Sequence, residues 1–198
     1  MEPNSHHLVM GQLTDFLTGR CIADTHDERY HQKLARHLVE TLGYTREQIR
    51  QKQTVEIPSG SQIARVTVDF LVGCGSRVDM LIKYAPGSLV TRRLSNLALS
   101  RMIQPVYIPI VVTTNGEDAE VVSGLTGKVL AEGIQAIPGP EDSFMTQIPD
   151  PPVTIPEGIV EKAVRIAYAC EVEGSCLMDN DFKCDTWYCY PDRTQDKP

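Results

Sequence analysis

Between residues 26 and 42, Tyr30, Leu34, Leu38 and Leu42 recur at every fourth position, which predicts an amphipathic helix with one apolar stripe. Asp24 or Thr25 can cap its start, and Gly43 can end it in a left-handed conformation. The period then changes. Residues 52–57 (KQTVEI), 63–72 (IARVTVDFLV) and 77–84 (RVDMLIKY) are rich in β-branched residues and predict three strands. Pro58, Ser59 and Gly60 turn the chain after the first, and Gly73, Gly75 and Ser76 after the second. A second helix is predicted over 89–103, with Ser88 as its cap and Leu89, Leu94, Leu97 and Met102 toward the sheet. Residues 106–114 (VYIPIVVTT) read as a buried strand that Pro109 interrupts with a bulge or an unpaired position. Shorter strands follow at 119–123 and 128–131, joined through Gly124 and Gly127, so the expected order is α-β-β-β-α-β-β-β.

Six prolines within residues 138–157 mark a linker or an extended strap. A last helix over about 157–172 carries Ile159, Val160, Ala163, Ile166, Ala167 and Cys170 on a broad apolar face, and an acidic tail with cysteines follows. The expected division is a flexible N-terminus (1–13), a core domain (14–137), the Pro-rich linker (138–156) and a C-terminal helix with its cysteine tail (157–198). A chain of 198 residues has room for one such domain with an appendage.

Charge sharpens this division. The formal net charge is −7, yet residues 1–140 balance 14 acids with 14 bases, so the excess lies beyond them. Within 20–101 there are 13 bases to 8 acids, which leaves room for a nucleic-acid contact there, although a pI of about 5.2 argues against a dedicated DNA binder. No apolar run is long enough to span a membrane, and Met1 to Gln12 does not read as a signal peptide, so the expected location is the cytoplasm. Six cysteines in that compartment point to thiols or metal ligands before disulfides. Cys170, Cys176, Cys184 and Cys189 have the spacing C-x5-C-x7-C-x4-C. Four thiolates can hold a structural zinc, which would tie down a tail with little core of its own. Reduced free thiols, a cluster or disulfides are the alternatives. Cys74, between two glycines, reads as a turn residue, and no histidine pair has ligand spacing.

The helix 27–44 (DERYHQ, then LVE and LGY), the strand Val68-Asp69-Phe70-Leu71-Val72, the turn Ala85-Pro86-Gly87, and the Thr113-Thr114-Asn115-Gly116 and Thr126-Gly127-Lys128 segments stand in a particular order. Together they resemble the N-terminal domain of the type I restriction endonuclease R subunit, over about residues 14–137. The resemblance implies an α/β fold with a PD-(D/E)xK nuclease-like core (α-β-β-β-α-β plus a β-hairpin), here followed by the C-terminal helix and cysteine-bearing tail. It also implies metal-assisted phosphodiester hydrolysis. Strand carboxylates hold a magnesium ion that activates water and screens charge on phosphate, and a lysine orients the water. Glu28 would be the helix acid and Asp69 the strand acid.

Aligned on Ala85-Pro86-Gly87, the chain departs from that pattern twice. Ile82 stands where the family has glutamate, and Tyr84 where it has lysine. Because strand side chains alternate, Lys83 and Asp79 point away from the face of Ile82 and Tyr84 unless a bulge resets the register. The expected catalytic set is therefore vestigial: Glu28, Asp69 and Lys83. An acid in the first turn of a helix is also favoured by the macrodipole alone, and Asp69 can be a structural partner of Arg65 or Lys83. Arg92, Arg93 and Arg101 on the second helix are the candidate nucleic-acid contacts, with a solvated helix face as the plainer reading.

The leading expectation is a catalytically degenerate nuclease-fold protein that acts as a binding or scaffold module, with DNA or a protein as partner. One rival is an active magnesium-dependent endonuclease with a migrated site on Glu28, Asp69, Asp79 and Lys83. The other is a protein-interaction module without a nucleic-acid role.

Overall fold

The computed structural model describes residues 9–59, 62–146, 148 and 151–173. The α-β-β-β-α-β-β-β order is present, and a small hairpin precedes it. Its strands β1 (Gly11–Thr14) and β2 (Cys21–Asp24) pair antiparallel and are too short and too exposed to leave a periodic signal. Helix α1 (His26–Arg36) starts where Thr25 accepts a hydrogen bond from the Glu28 N–H at 3.1 Å, and widens into a π-helical turn over His37–Thr41. Gly43, at φ +85°, takes the left-handed conformation that ends it. Leu34 and Leu38 of the predicted stripe are buried, whereas Tyr30 and Leu42 are half-buried or more open.

Six strands make the main sheet, in the order β3 (Ile49–Ser59), β4 (Gln62–Val72), β5 (Met80–Tyr84), β6 (Ile110–Thr114), β7 (Ala119–Ser123) and β8 (Val129–Glu132). Neighbours are antiparallel except β5 and β6, which run parallel and are joined by helix α2 (Leu89–Ser100). Side-chain alternation then builds two cores. Phe70, Met80, Ile82, Val112 and Val121 meet Leu34 and Leu38 of α1 on one side. On the other, Leu81 and Val111 meet Leu97 and Leu99 of α2 and Ala163 and Ala167 of helix α4 (Glu157–Ala167).

One break in the alternation positions the site. A regular strand would send Val68 and Phe70 to the same face, yet Val68 packs in the α2/α4 core and Phe70 in the α1 core. On the paired strand, Val55 and Ile57 lie in the α2/α4 core while Ile49 lies with α1. Both strands therefore change faces at the same level. The register brackets that level: Gln51 pairs with Phe70 and Gln53 with Val68, so Lys52 falls opposite Asp69. Lys52 has φ +50°, among the described residues the one non-glycine residue with positive φ. A left-handed lysine costs about 1–2 kcal/mol, and here it stands at the point where both strands change faces without a shift of register.

Several predicted boundaries move, for identifiable reasons. The strand predicted from 77 begins at Met80, because the Gln104 side chain takes up both the N–H and the carbonyl of Val78 and keeps them out of the ladder. The strand predicted from 106 begins at Ile110. Tyr107 donates its N–H to Val153, and the Pro109 carbonyl accepts from Gly124. The Pro-rich stretch is thus a strap packed on the chain before β6, with a bridge between Val106 and Thr154, a short helix α3 (Ser143–Thr146) and a buried Ile155. Helix α2 ends at Ser100. Ser88 precedes it without a side-chain cap, Leu94 is exposed rather than facing the sheet, and Leu99 is buried instead. Helix α4 runs on as a π-helical turn over Tyr168–Glu173. No helix among the described residues is long and apolar enough to cross a membrane.

Two glycines test this packing with opposite signs. A Cβ at Gly124 would overlap the Ile108 carbonyl oxygen, whereas Gly158 in the first turn of α4 has open space around it. Gly124→Ala should lower the unfolding free energy by about 1–3 kcal/mol. Gly158→Ala should raise it by about 0.5–1 kcal/mol. Urea denaturation of the two variants reads both.

Candidate functional site

The site lies where β4 breaks its alternation beneath α1. Asp69 falls one position short of the β4/β5 ladder, whose pairs are Phe70–Ile82, Leu71–Leu81 and Val72–Met80. Its carboxylate reaches into the fork between the strands, and Oδ2 accepts the Tyr84 N–H at 2.8 Å. Burial pushes the Asp69 pKa up, against that hydrogen bond and the charges of His31 and Lys83. The sequence-based partners of Asp69 are corrected here: Arg65 pairs with Glu56 at 3.1 Å, and Lys83 pairs with Glu171 at 3.4 Å.

Glu28 points from the first turn of α1 into the same region. Its Oε2 binds the Lys52 ammonium at 2.6 Å, and its Oε1 accepts from Gln32 Nε2 at 2.9 Å. His31 sits between the two acids. Its ring stacks on Phe70 with centroids 4.1 Å apart, Nε2 lies 3.5 Å from the Asp69 carbonyl oxygen, and Nδ1 lies 3.6 Å from Glu28 Oε1. Nδ1 is buried without a hydrogen-bond partner. Burial lowers the His31 pKa, and the charges of Asp69 and Glu28 oppose that shift. The neutral imidazole is the form this packing favours.

Asp15, just after β1, completes the floor. It accepts from the Thr18 N–H and hydroxyl at 2.7 and 2.8 Å, from Gln32 at 2.9 Å and from Gln51 at 3.1 Å. Burial pushes its pKa up, but the bonds from Thr18, Gln32 and Gln51 outweigh that and carry it down to about 2. Asp15 therefore staples the N-terminal hairpin to α1 and β3 at once. Neither Asp15 nor His31, Gln32 and Lys52 stands out in the sequence. The signal was one of type and spacing: Gln32 and His31 follow Glu28 by one helical turn, so all three share a face.

The remaining sequence-predicted residues lie elsewhere. Ile82 is fully buried against Phe70. The Tyr84 ring stacks on Tyr30 with centroids 5.6 Å apart and borders a cavity of about 340 Å³ that Lys33, Arg36, His37 and Gly116 also line. Lys83 is on the opposite face, toward Glu171, whose other oxygen accepts from Ser95 at 2.6 Å. Asp79 immediately precedes β5, four residues from the level of Asp69 and about 13 Å away at strand rise, and pairs with Arg77 at 2.7 Å. Arg93 forms a two-pronged pair with Glu120 at 2.5 and 2.6 Å, while Arg101 lies over the Tyr107 ring at 5.9 Å and Arg92 is exposed. The three arginines thus have three different environments. Cys170 is a free, half-buried thiol in the last turn, and Cys176, Cys184 and Cys189 lie outside the described residues.

Magnesium takes about six oxygens, usually with one or two carboxylates among them. Here Glu28 is committed to Lys52 and Gln32, Ile82 offers no oxygen, and Asp69 remains as one carboxylate. The described residues gather no group of three acid, histidine or cysteine side chains fit to hold a metal. One free carboxylate is the low end of what magnesium uses, so the fork fits the divalent ion that the resemblance implies only weakly.

The Asp15 staple makes a pH-dependent prediction. Its pKa falls from the ordinary 3.8 to about 2 on folding, so its contribution is full above pH 3.8 and is lost as pH falls toward 2. Asp15→Asn should cost about 2 kcal/mol at pH 7, with the difference from wild type closing in acid. Urea midpoints across that pH range measure it.

No curated protein and no solved structure matches the chain. Residues 26–138, from the start of α1 through β8 to the head of the strap, match the family model described as the type I restriction enzyme R protein N terminus. That span is more than half of the chain and contains Glu28, His31, Lys52 and Asp69, and the protein belongs to this family.

Proposed function

We propose that the chain is a catalytically degenerate PD-(D/E)xK nuclease-fold protein that works as a binding or scaffold module. The observation that carries this reading is the fully buried Ile82 beside the Asp69 fork. A glutamate there could share an ion with Asp69; an isoleucine there can only pack. Tyr84, in the lysine position, is stacked on Tyr30 and has no amine to orient a water. Lys83 is turned to Glu171 on the other side of the sheet and does not replace it. Asp79, just before β5, is too far from Asp69 to supply the second carboxylate of a migrated site.

A scaffold can outlive its chemistry because packing and catalysis draw on different residues. Phe70, Ile82 and Met80 stabilise the α1 core by apolar burial, which a metal-bound glutamate would interrupt. A surface for binding is supported by α1, whose exposed side presents His26, Arg29, Lys33 and Arg36 in one stripe. Asp24 holds Arg29 at 2.6 Å and Glu40 lies 3.3 Å from Arg36, both at the surface, so His26 and Lys33 are joined in the stripe by two arginines that also have acidic neighbours. Nucleic acid is the partner that such a stripe fits, through phosphate contacts.

The test is a cleavage assay on single- and double-stranded DNA and RNA with magnesium or manganese. The expected outcome is no turnover above that of Asp69→Ala. Metal-dependent cleavage by the wild type that Asp69→Ala abolishes would contradict the reading.

A further inference from the structure

Lys52 combines three features that a surface lysine does not need. Its backbone is left-handed at φ +50°, it stands opposite Asp69 where both strands change faces, and its ammonium lies 2.6 Å from a carboxylate that is nearly buried. Beside that carboxylate, the His31 ring is buried with Nδ1 unpartnered and 3.6 Å from Glu28 Oε1. That separation is too long for a hydrogen bond. It is close to the spacing of two donors that share one transition-metal ion at about 2.1 Å each. The site therefore sets two metal-type donors, His31 Nδ1 and Glu28 Oε1, side by side, with Gln32 Nε2 on Oε1 and the Lys52 ammonium on the other oxygen of the same carboxylate, Oε2.

We propose that Lys52 is the resident cation of this site: it engages Glu28 in place of a divalent ion, and the left-handed turn of β3 exists to deliver it. This rests on the degenerate reading and deepens it. Loss of the strand carboxylate at Ile82 removes part of the charge that holds a metal. Glu28 would then be a buried, uncompensated acid, which is costly. A lysine on the neighbouring strand supplies the missing positive charge permanently and ties α1 to β3. Closure against metal is thus a property of Lys52 as well as of Ile82.

The experiment compares the full-length wild type with Lys52→Asn, Glu28→Gln and the double variant Lys52→Asn/Glu28→Gln, by thermal melting and calorimetric titration with manganese. Asparagine tolerates the left-handed backbone, so Lys52→Asn removes the charge while keeping the turn. The wild type should show no manganese-dependent rise in Tm beyond that of Glu28→Gln. Lys52→Asn should melt several degrees lower, and manganese should restore a large part of that loss. The double variant should lose the manganese response, because the freed ligand is gone. Lys52→Asn that melts like wild type, or that takes up no manganese, overturns the proposal. So does saturable manganese binding by the wild type that Glu28→Gln removes. If Lys52→Asn does not fold, this wild-type titration still decides. An inert wild type with a metal-blind Lys52→Asn would sink this inference and leave the degenerate reading standing, whereas cleavage by the wild type would sink the reading itself.

Discussion

At the level of Lys52 and Asp69 the β3/β4 hairpin stops behaving as a regular ladder, and most of the architecture follows from that break. Below it, Ile49, Phe70 and Val72 face α1; above it, Val55, Ile57 and Val68 face α2 and α4. One hairpin thereby serves both cores of the sheet. The same break frees Asp69 from the β4/β5 ladder, so its carboxylate bonds the Tyr84 N–H across the fork instead of a solvent-exposed partner. A left-handed lysine is an unfavourable way to make a strand change faces. The ion pair it makes with Glu28 gives that conformation a return.

The polar groups around the fork are satisfied in an order that explains their charge states. Asp15 receives donors from three side chains and stays ionised to about pH 2. Asp69 has one backbone donor and more burial, and its pKa rises. His31 is stacked on Phe70 and is pushed toward its neutral form. Hydrogen-bond donors decide the first case and desolvation decides the other two. The region is built as a polar joint between the N-terminal hairpin, α1 and β3, and it meets an apolar wall at Ile82.

Much of this was legible in the residues. The four-residue stripe of α1, the strand pairs around Gly73 and the Ala85-Pro86-Gly87 turn carry the core order, because each is set by local periodicity and turn chemistry. Strand parity also placed Lys83 and Tyr84 on opposite faces, as their partners Glu171 and Tyr30 show. Parity failed at Val68, since a strand that changes faces looks regular in sequence. The β1/β2 hairpin was missed because its four-residue strands are mostly exposed and have no apolar rhythm. Lys52 and Asp15 were missed for a different reason. Their contacts with Glu28, Gln32 and Gln51 span 17 to 36 residues of chain, and no spacing rule reaches that far, whereas His31 shares a helical face with Glu28 and only its contact with Asp69 is long-range. The arginines of α2 looked alike in sequence, and only tertiary structure distinguishes Arg93, locked on Glu120, from Arg92 in solvent.

The most direct measurement is anomalous diffraction at the manganese edge from crystals of the wild-type protein soaked in that ion. The account predicts no anomalous peak within coordination distance of Glu28, His31 or Asp69, with the Lys52 ammonium still on Glu28. A peak held by Glu28 and Asp69, with Lys52 displaced, would contradict it.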